Sequence, residues 1–216
     1  MTLGVTGVTD KTISNVTALA VPPPAFPGMR IGLLGGSFNP AHEGHRHISV
    51  EALQRLELDR VWWLVTPGNP LKSSGDLASL SDRMASARRI AAHPRIDVTG
   101  FEAALPTVFT VDTVAFLLRR SPAAHFVWLM GSDNLALFHR WRQWRKLLAM
   151  LPTAVMHRAD LRLPALASPA AIAYAQARIA GEDARLLPVL RPPAWVYIGI
   201  QPSYQSSTAI RTAKKP

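Results

Sequence analysis

The chain has 216 residues, 48% of them hydrophobic, which suits one α/β domain with a small appendage. It carries 24 Lys plus Arg against 14 Asp plus Glu, a formal net charge of +10, so anionic partners (nucleic acid, acidic lipid, phosphorylated metabolites) fit its balance, as does a merely solvated Arg surface. The absence of Cys excludes disulfides, thiolate metal sites and cysteine nucleophiles, and no apolar run approaches the roughly 20 residues that span a bilayer.

Residues 1–29 read as a flexible extension, rich in Thr, Val and Gly and ending in the stiff stretch Pro22-Pro23-Pro24-Ala25-Phe26-Pro27-Gly28. No continuous apolar stretch precedes Pro22, so no export signal is read there and a cytoplasmic protein is expected. The folded domain is expected over residues 30–216. Short apolar segments predict strands at Arg30–Leu34, Arg60–Thr66, Ile96–Val98, His125–Met130, Thr153–His157 and Trp195–Ile200. Between them the spacing predicts helices over His42–Leu56, Ser81–Ala92, Thr110–Arg120, Trp141–Met150 and Pro169–Ala180, with Ser81 and Thr110 as N-caps. In the first helix Ile48, Ala52 and Leu56 make one inward stripe. This alternation implies an α/β fold: a Rossmann-like, doubly wound parallel sheet with helices on both faces.

In such sheets ligands bind beyond the carboxyl ends of the strands. That edge collects Gly35 to His45, Thr66 to Lys72, Gly131 to Trp141 and His157-Arg158. Gly35-Gly36 follow a strand and let a ligand approach the backbone, although such a pair is equally an ordinary turn. His42 and His45 fall at i and i+3 on the opening turn of a helix, and Gly44 between them leaves room for a phosphate. The helix start adds N–H groups and partial positive charge. Two imidazoles and a helix N-terminus together suit a polyphosphate. A zinc site is disfavoured, since His42, His45 and His47 lack the four-residue spacing of helical zinc motifs, so no protein metal site is expected.

The segment Gly36-Ser37-Phe38-Asn39-Pro40-Ala41-His42-Glu43-Gly44-His45 resembles the G-x-F-x-P-x-H-x-G-H signature of the nucleotidyltransferase superfamily. Ser206-Ser207-Thr208-Ala209-Ile210-Arg211 resembles its S-S-T-x-I-R signature; alone it would read as a helix cap with a surface Arg. Within the superfamily the chain is most similar to the nicotinate-nucleotide adenylyltransferases, over about Arg30 to Arg211. Thr66-Pro67-Gly68-Asn69-Pro70-Leu71-Lys72 resembles their loop after the second strand, with Leu71 in place of the usual His and Lys72 kept. Pro106 to Thr113 resembles P-S-Y-T-x-x-T, with Phe109 for Tyr, and Leu129 to Leu135 resembles I-x-G-x-D-x-L, followed by Trp141 at the family's aromatic position. The family continues for a helix beyond S-S-T-x-I-R, whereas this chain stops five residues after Arg211.

The resemblance implies transfer of AMP from ATP to nicotinate mononucleotide. His42, His45 and Arg211 are implied as catalytic. Gly35, Gly36, Ser37, Phe38, Gly44, Lys72, Gly131, Asp133, Ser206, Ser207 and Thr208 are implied to hold ATP and phosphate. Thr110, Trp141 and Arg158 are implied to hold the pyridine nucleotide, with either Trp141 or Trp144 as core. Mg²⁺ is implied as the companion of ATP. The partners expected are these small molecules, not nucleic acid or membrane, and no oligomeric state is implied. The alternatives are another acceptor, such as nicotinamide mononucleotide or phosphopantetheine, and a non-catalytic nucleotide-binding protein.

Overall fold

The structure, a computed structural model, describes residues 21–68, 77–157 and 162–200. Seven strands form one sheet: β1 (Arg30–Gly36), β2 (Arg60–Val65), β3 (Ile96–Thr99), β4 (His125–Gly131), β5 (Thr153–His157), β6 (Arg178–Ile179) and β7 (Trp195–Gly199). Every neighbouring pair is parallel, in the order β3-β2-β1-β4-β5-β7-β6. The helices are α1 (Glu43–Arg55), α2 (Leu80–Ala91), α3 (Thr110–Arg120), α4 (Ser132–Leu137), α5 (Trp144–Met150), α6 (Arg162–Leu166) and α7 (Pro169–Ala173). This is the expected α/β architecture.

The strands read as unbroken apolar runs because each has two buried faces. Leu34 of β1, Val61, Trp63 and Val65 of β2 and Val127 and Leu129 of β4 point to one side. There they meet Ile48, Ala52 and Leu53 of α1 and Met84, Ala87 and Ala91 of α2. On the other side Ile31, Leu33, Trp62, Leu64, Phe126, Trp128 and Met130 meet Val114 and Leu117 of α3 and Leu147 and Leu148 of α5. The predicted stripe Ile48, Ala52 and Leu56 is buried.

Several boundaries differ from the sequence reading, each for a local reason. α2 starts at Leu80, because Ser79 rather than Ser81 accepts the N–H of Asp82 (3.1 Å). Thr110 is the first residue of α3, not its cap. Instead Thr107 Oγ1 accepts the Phe109 N–H (3.1 Å) and donates to Asp112 (2.7 Å). The helix expected from Trp141 starts only at Trp144, since Gln143 takes a left-handed conformation at φ 52. The helix expected over Pro169–Ala180 ends at Ala173, and Arg178–Ile179 pair with β7 as a strand. Of the N-terminal extension, residues 21–29 are described and run along the domain. Pro22 is buried, Ala25 and Met29 pack on the core, and the Gly28 N–H donates to Ala123 O (2.8 Å).

One polar group ties α1 to β2. Ser49 is fully buried; its hydroxyl accepts the Trp63 indole N–H (2.7 Å) and donates to the His45 carbonyl (2.9 Å). Replacing Ser49 by Ala leaves that indole N–H unpaired in the core, a loss of about 1–3 kcal/mol. Urea denaturation should show the midpoint falling accordingly with an unchanged slope; an unaltered midpoint would show that the contact carries no net stability.

Candidate active site

The chain runs from β1 to β2 and β3 on one side, then crosses to β4 on the other side of β1. The point where the order reverses therefore lies between the carboxyl ends of β1 and β4, the place where doubly wound sheets bind ligands. The residues there are Gly35, Gly36 and the following loop from β1, and Gly131 from β4.

Gly35 and Gly36 are the last residues of β1. A Cβ on Gly35 would lie 2.6 Å from the Trp128 ring, and one on Gly36 would lie 3.3 Å from the Phe38 ring. Packing beneath the site thus requires glycine at position 35, while at position 36 the Phe38 ring would have to give by a few tenths of an ångström. Phe38 takes a left-handed conformation (φ 47) and its ring is buried, stacked on Trp63 with centroids 4.9 Å apart. The His45 ring packs against both, 4.7 Å from Phe38 and 5.8 Å from Trp63 between centroids. Phe38 and Trp63 together thus form an aromatic bed for His45. The Asn39–Pro40 peptide is cis, and the chain enters α1 directly after it.

His42 is the N-cap of α1, one position before the helix rather than inside it. Its Nδ1 accepts the Gly44 N–H (3.1 Å), and its own N–H donates to Nδ1 of His45 (3.2 Å). This is a reciprocal capping box in which two imidazoles replace the usual hydroxyl and carboxylate. The rings lie 3.8 Å apart between centroids. Because each Nδ1 accepts a backbone hydrogen bond, the neutral ring carries its proton on Nε2. Each ring therefore presents an Nε2–H donor. The N–H groups expected to greet a phosphate are partly used: Gly44 N–H goes to the His42 ring and His45 N–H to the His42 carbonyl (2.9 Å). The donors of this turn are the imidazoles more than the backbone. His47 stands about 200° further round the helix than His45.

At the end of β4, Gly131 caps α4. A Cβ there would lie 2.3 Å from Asp133 Oδ1, so the exposed Asp133 can fold back over residue 131 only if that residue is Gly. Trp144 is buried against Phe138 and is the core member of its pair, while Trp141 is half-buried with its edge toward Trp128 (6.1 Å, 80°). Beside the β2 loop a cavity of about 580 Å³ opens, lined by Pro67, Glu102, Thr107, Phe109, Asp112 and Arg142. The Arg142 guanidinium sits 4.3 Å over the Phe109 ring. Burial raises the Glu102 carboxyl above its ordinary range, partly offset by a hydrogen bond from Thr113 Oγ1 (2.8 Å). Thr110 opens α3 directly after Phe109 of that wall. Lys72, Arg158, Ser206, Ser207, Thr208 and Arg211 lie outside the described residues.

Sequence reasoning missed Glu102, Arg142 and Arg83. Arg142 is signalled only by its place next to Trp141, and Glu102 by nothing periodic. Arg83 had a readable signal: it stands four residues before Ala87 and eight before Ala91, on a stripe that faces the core. Among the described residues no group of three or more His, Cys, Asp or Glu side chains could hold a metal ion, and no helix is long and apolar enough to cross a membrane.

A parallel sheet with glycines and a histidine pair at its switch point is a doubly wound α/β domain, a fold that binds ligands at that place. Residues 33–213 match the family model described as cytidylyltransferase-like. A probable nicotinate-nucleotide adenylyltransferase of Methylorubrum extorquens is 55% identical over 184 residues, 85% of this chain and 100% of that protein. Proteins of the same name from Bradyrhizobium sp. and Ruegeria pomeroyi are 53% and 52% identical, over 85% and 88% of this chain and 95% and 89% of theirs. In fold, the chain is similar to Plasmodium falciparum nicotinic acid mononucleotide adenylyltransferase complexed with NaAD, at a TM-score of 0.63 and 17% identity, covering 85% of this chain and 83% of that one. The chain belongs to the cytidylyltransferase-like family and, within it, to the nicotinate-nucleotide adenylyltransferases.

Replacing His45 by Ala removes one fixed donor and should lower turnover about 10²–10³-fold, the usual cost of one such donor. Replacing His47 should do far less. Steady-state rates on variants with unchanged melting decide the matter, and near-normal turnover for the His45 variant would remove it from the chemistry. Glu102 offers a check on stability. Its folded pKa is raised, so its protonated form is favoured by the fold; that contribution is complete below about 4.5, the unfolded value, and is lost as pH rises through the folded value. Wild-type stability should therefore drop across that window relative to Glu102→Gln, measured by urea denaturation at several pH values; parallel curves would refute the burial penalty.

Proposed function

We propose that this chain transfers the AMP moiety of ATP to nicotinate mononucleotide, forming deamido-NAD and releasing pyrophosphate. The observation that carries the reading is the His42–His45 pair, fixed by its own helix so that both Nε2–H groups serve as donors at the sheet's switch point. The relatives at 52% to 55% identity bear the name of this activity.

An acceptor phosphate oxygen attacks the α-phosphorus of ATP in line. The new P–O bond joins the two nucleotides, and the bond from the α-phosphorus to the bridging oxygen breaks with its electron pair going to pyrophosphate. A phosphate dianion is already a nucleophile, so no general base is required, and catalysis consists of alignment and charge stabilisation. His42 and His45 donate to the oxygens that gain charge. Lys72, Arg211 and the hydroxyls of Ser206, Ser207 and Thr208 are assigned to the phosphates. Gly36, Ser37 and Gly44 leave room for them, and Gly131 and Asp133 border the nucleotide. Trp141, with part of its ring open, is the stacking wall for the pyridine, and Thr110 and Arg158 are assigned to its carboxylate side. Mg²⁺ is assigned as the companion of ATP, where it would offset charge on the phosphates. Residues 30–216 form the catalytic domain, with 1–29 as its extension, and the reaction is placed in the cytoplasm.

The test is pyrophosphate release from ATP with nicotinate mononucleotide, nicotinamide mononucleotide and phosphopantetheine. The nicotinate form should give the highest kcat/KM, at least about tenfold above the nicotinamide form, because a site built for a ring carboxylate leaves the amide NH₂ without an acceptor. Trp141→Ala should lose much of that preference. Turnover with phosphopantetheine alone would overturn the reading.

A further inference from the structure

Arg83 is a cation in an apolar place. It lies on α2, only 2% exposed, on the inward stripe with Ala87 and Ala91. Its guanidinium meets backbone carbonyls. Nε donates to Ala78 O (2.9 Å), Nη1 to Ser37 O (2.8 Å) and Thr66 O (2.7 Å), and Nη2 to Pro67 O (3.4 Å). No carboxylate among the described residues pairs with it. Burial lowers its pKa, yet a guanidinium stays charged in proteins. Burying a guanidinium on carbonyls, with no carboxylate beside it among the described residues, is costly, and such an arrangement needs a return.

The acceptors suggest what the return is. Ser37 opens the loop that delivers His42 and His45; Thr66 and Pro67 open the loop that leaves β2. The strands themselves reach only to Gly36 and Val65, and beyond them the Thr66 N–H still donates to Gly36 O (3.1 Å). A single nitrogen of Arg83 bridges the two loops at Ser37 and Thr66. A planar fork can hold several carbonyls at fixed angles, which a point-charge ammonium cannot.

We propose that Arg83 is a positioning residue of the adenylyl-transfer site: its guanidinium clamps the loops after β1 and β2 together and thereby sets where His42 and His45 stand. This rests on the function proposed above.

The test uses the full chain with Arg83→Lys and Arg83→Ala, and Leu117→Ala as a core variant remote from the loops. Rates are taken below each variant's melting temperature, with circular dichroism confirming the fold. Leu117→Ala should melt lower yet keep kcat within about twofold, since loss of α3 packing leaves the loops alone. Arg83→Lys should lose about 10–100-fold in kcat with KM for ATP changed by less than about threefold, the pattern of misplaced groups rather than lost binding. Millimolar methylguanidinium should restore Arg83→Ala at least about tenfold and saturably, whereas urea at the same concentration should not. A folded Arg83→Lys with wild-type kcat, or equal recovery with urea, overturns the clamp. If neither Arg83 variant folds, Arg83 serves stability alone and the proposal fails. Wild-type protein with no pyrophosphate release for any acceptor would instead indict the functional reading, and the clamp falls with it.

Discussion

The site depends on one reciprocal arrangement: His42 and His45 cap the same helix end through Nδ1. A helix start leaves N–H groups without intrahelical partners, and here two imidazoles take that work. The consequence runs in both directions. The helix gains its cap, and each ring loses its freedom to choose a tautomer. Ring orientation is further limited by Phe38, itself stacked on Trp63, whose indole is held by Ser49. A chain of contacts thus leads from the core of the sheet to two fixed donors.

Much of the fold was legible in the sequence because both faces of the sheet are buried. Segments such as Arg60–Val65 and His125–Gly131 have almost no polar interruption, and only a strand covered on both sides tolerates that. The stripe at Ile48, Ala52 and Leu56 was equally plain. What escaped were decisions made by tertiary contact. Arg178–Ile179 sits in an Ala-rich stretch that favours helix, yet its backbone finds a partner in β7. The break at Gln143 rests on one left-handed residue with no Gly to announce it.

The site was legible in part. The spacing of His42 and His45 correctly placed their rings together, 3.8 Å apart. It did not reveal that His42 is the cap itself, because His is not a usual capping residue and the spacing alone places it in the opening turn. Phe38 reads as a ligand contact when taken with its neighbours; what the sequence does not show is that its ring is buried and packs against His45. Arg83 was overlooked for the opposite reason: a charged residue is ordinarily assigned to solvent, and only its four-residue spacing from Ala87 and Ala91 argued otherwise.

These features agree with a reaction that moves charge without moving a proton. A doubly protonated imidazole has no lone pair at Nδ1 and could not accept from the backbone, so the capped pair is the neutral form, donating at Nε2. Such a pair is poorly suited to shuttle protons, since each proton taken at Nδ1 would cost a helix cap. Rings fixed in this way would suit the holding of a growing negative charge, because donors set in advance need little reorganisation during a reaction. A phosphate nucleophile asks for no base, and a pyrophosphate leaving group asks for donors and cations. The buried Arg83, bound to carbonyls and, among the described residues, to no carboxylate, places positive charge close to the same loops. The same logic accounts for glycines where β1 and β4 end. At Gly35 the space a Cβ would need is taken by the Trp128 ring, and at Gly131 the Asp133 carboxylate lies where a Cβ would stand, so neighbouring side chains close in at both strand ends where the order of the sheet reverses.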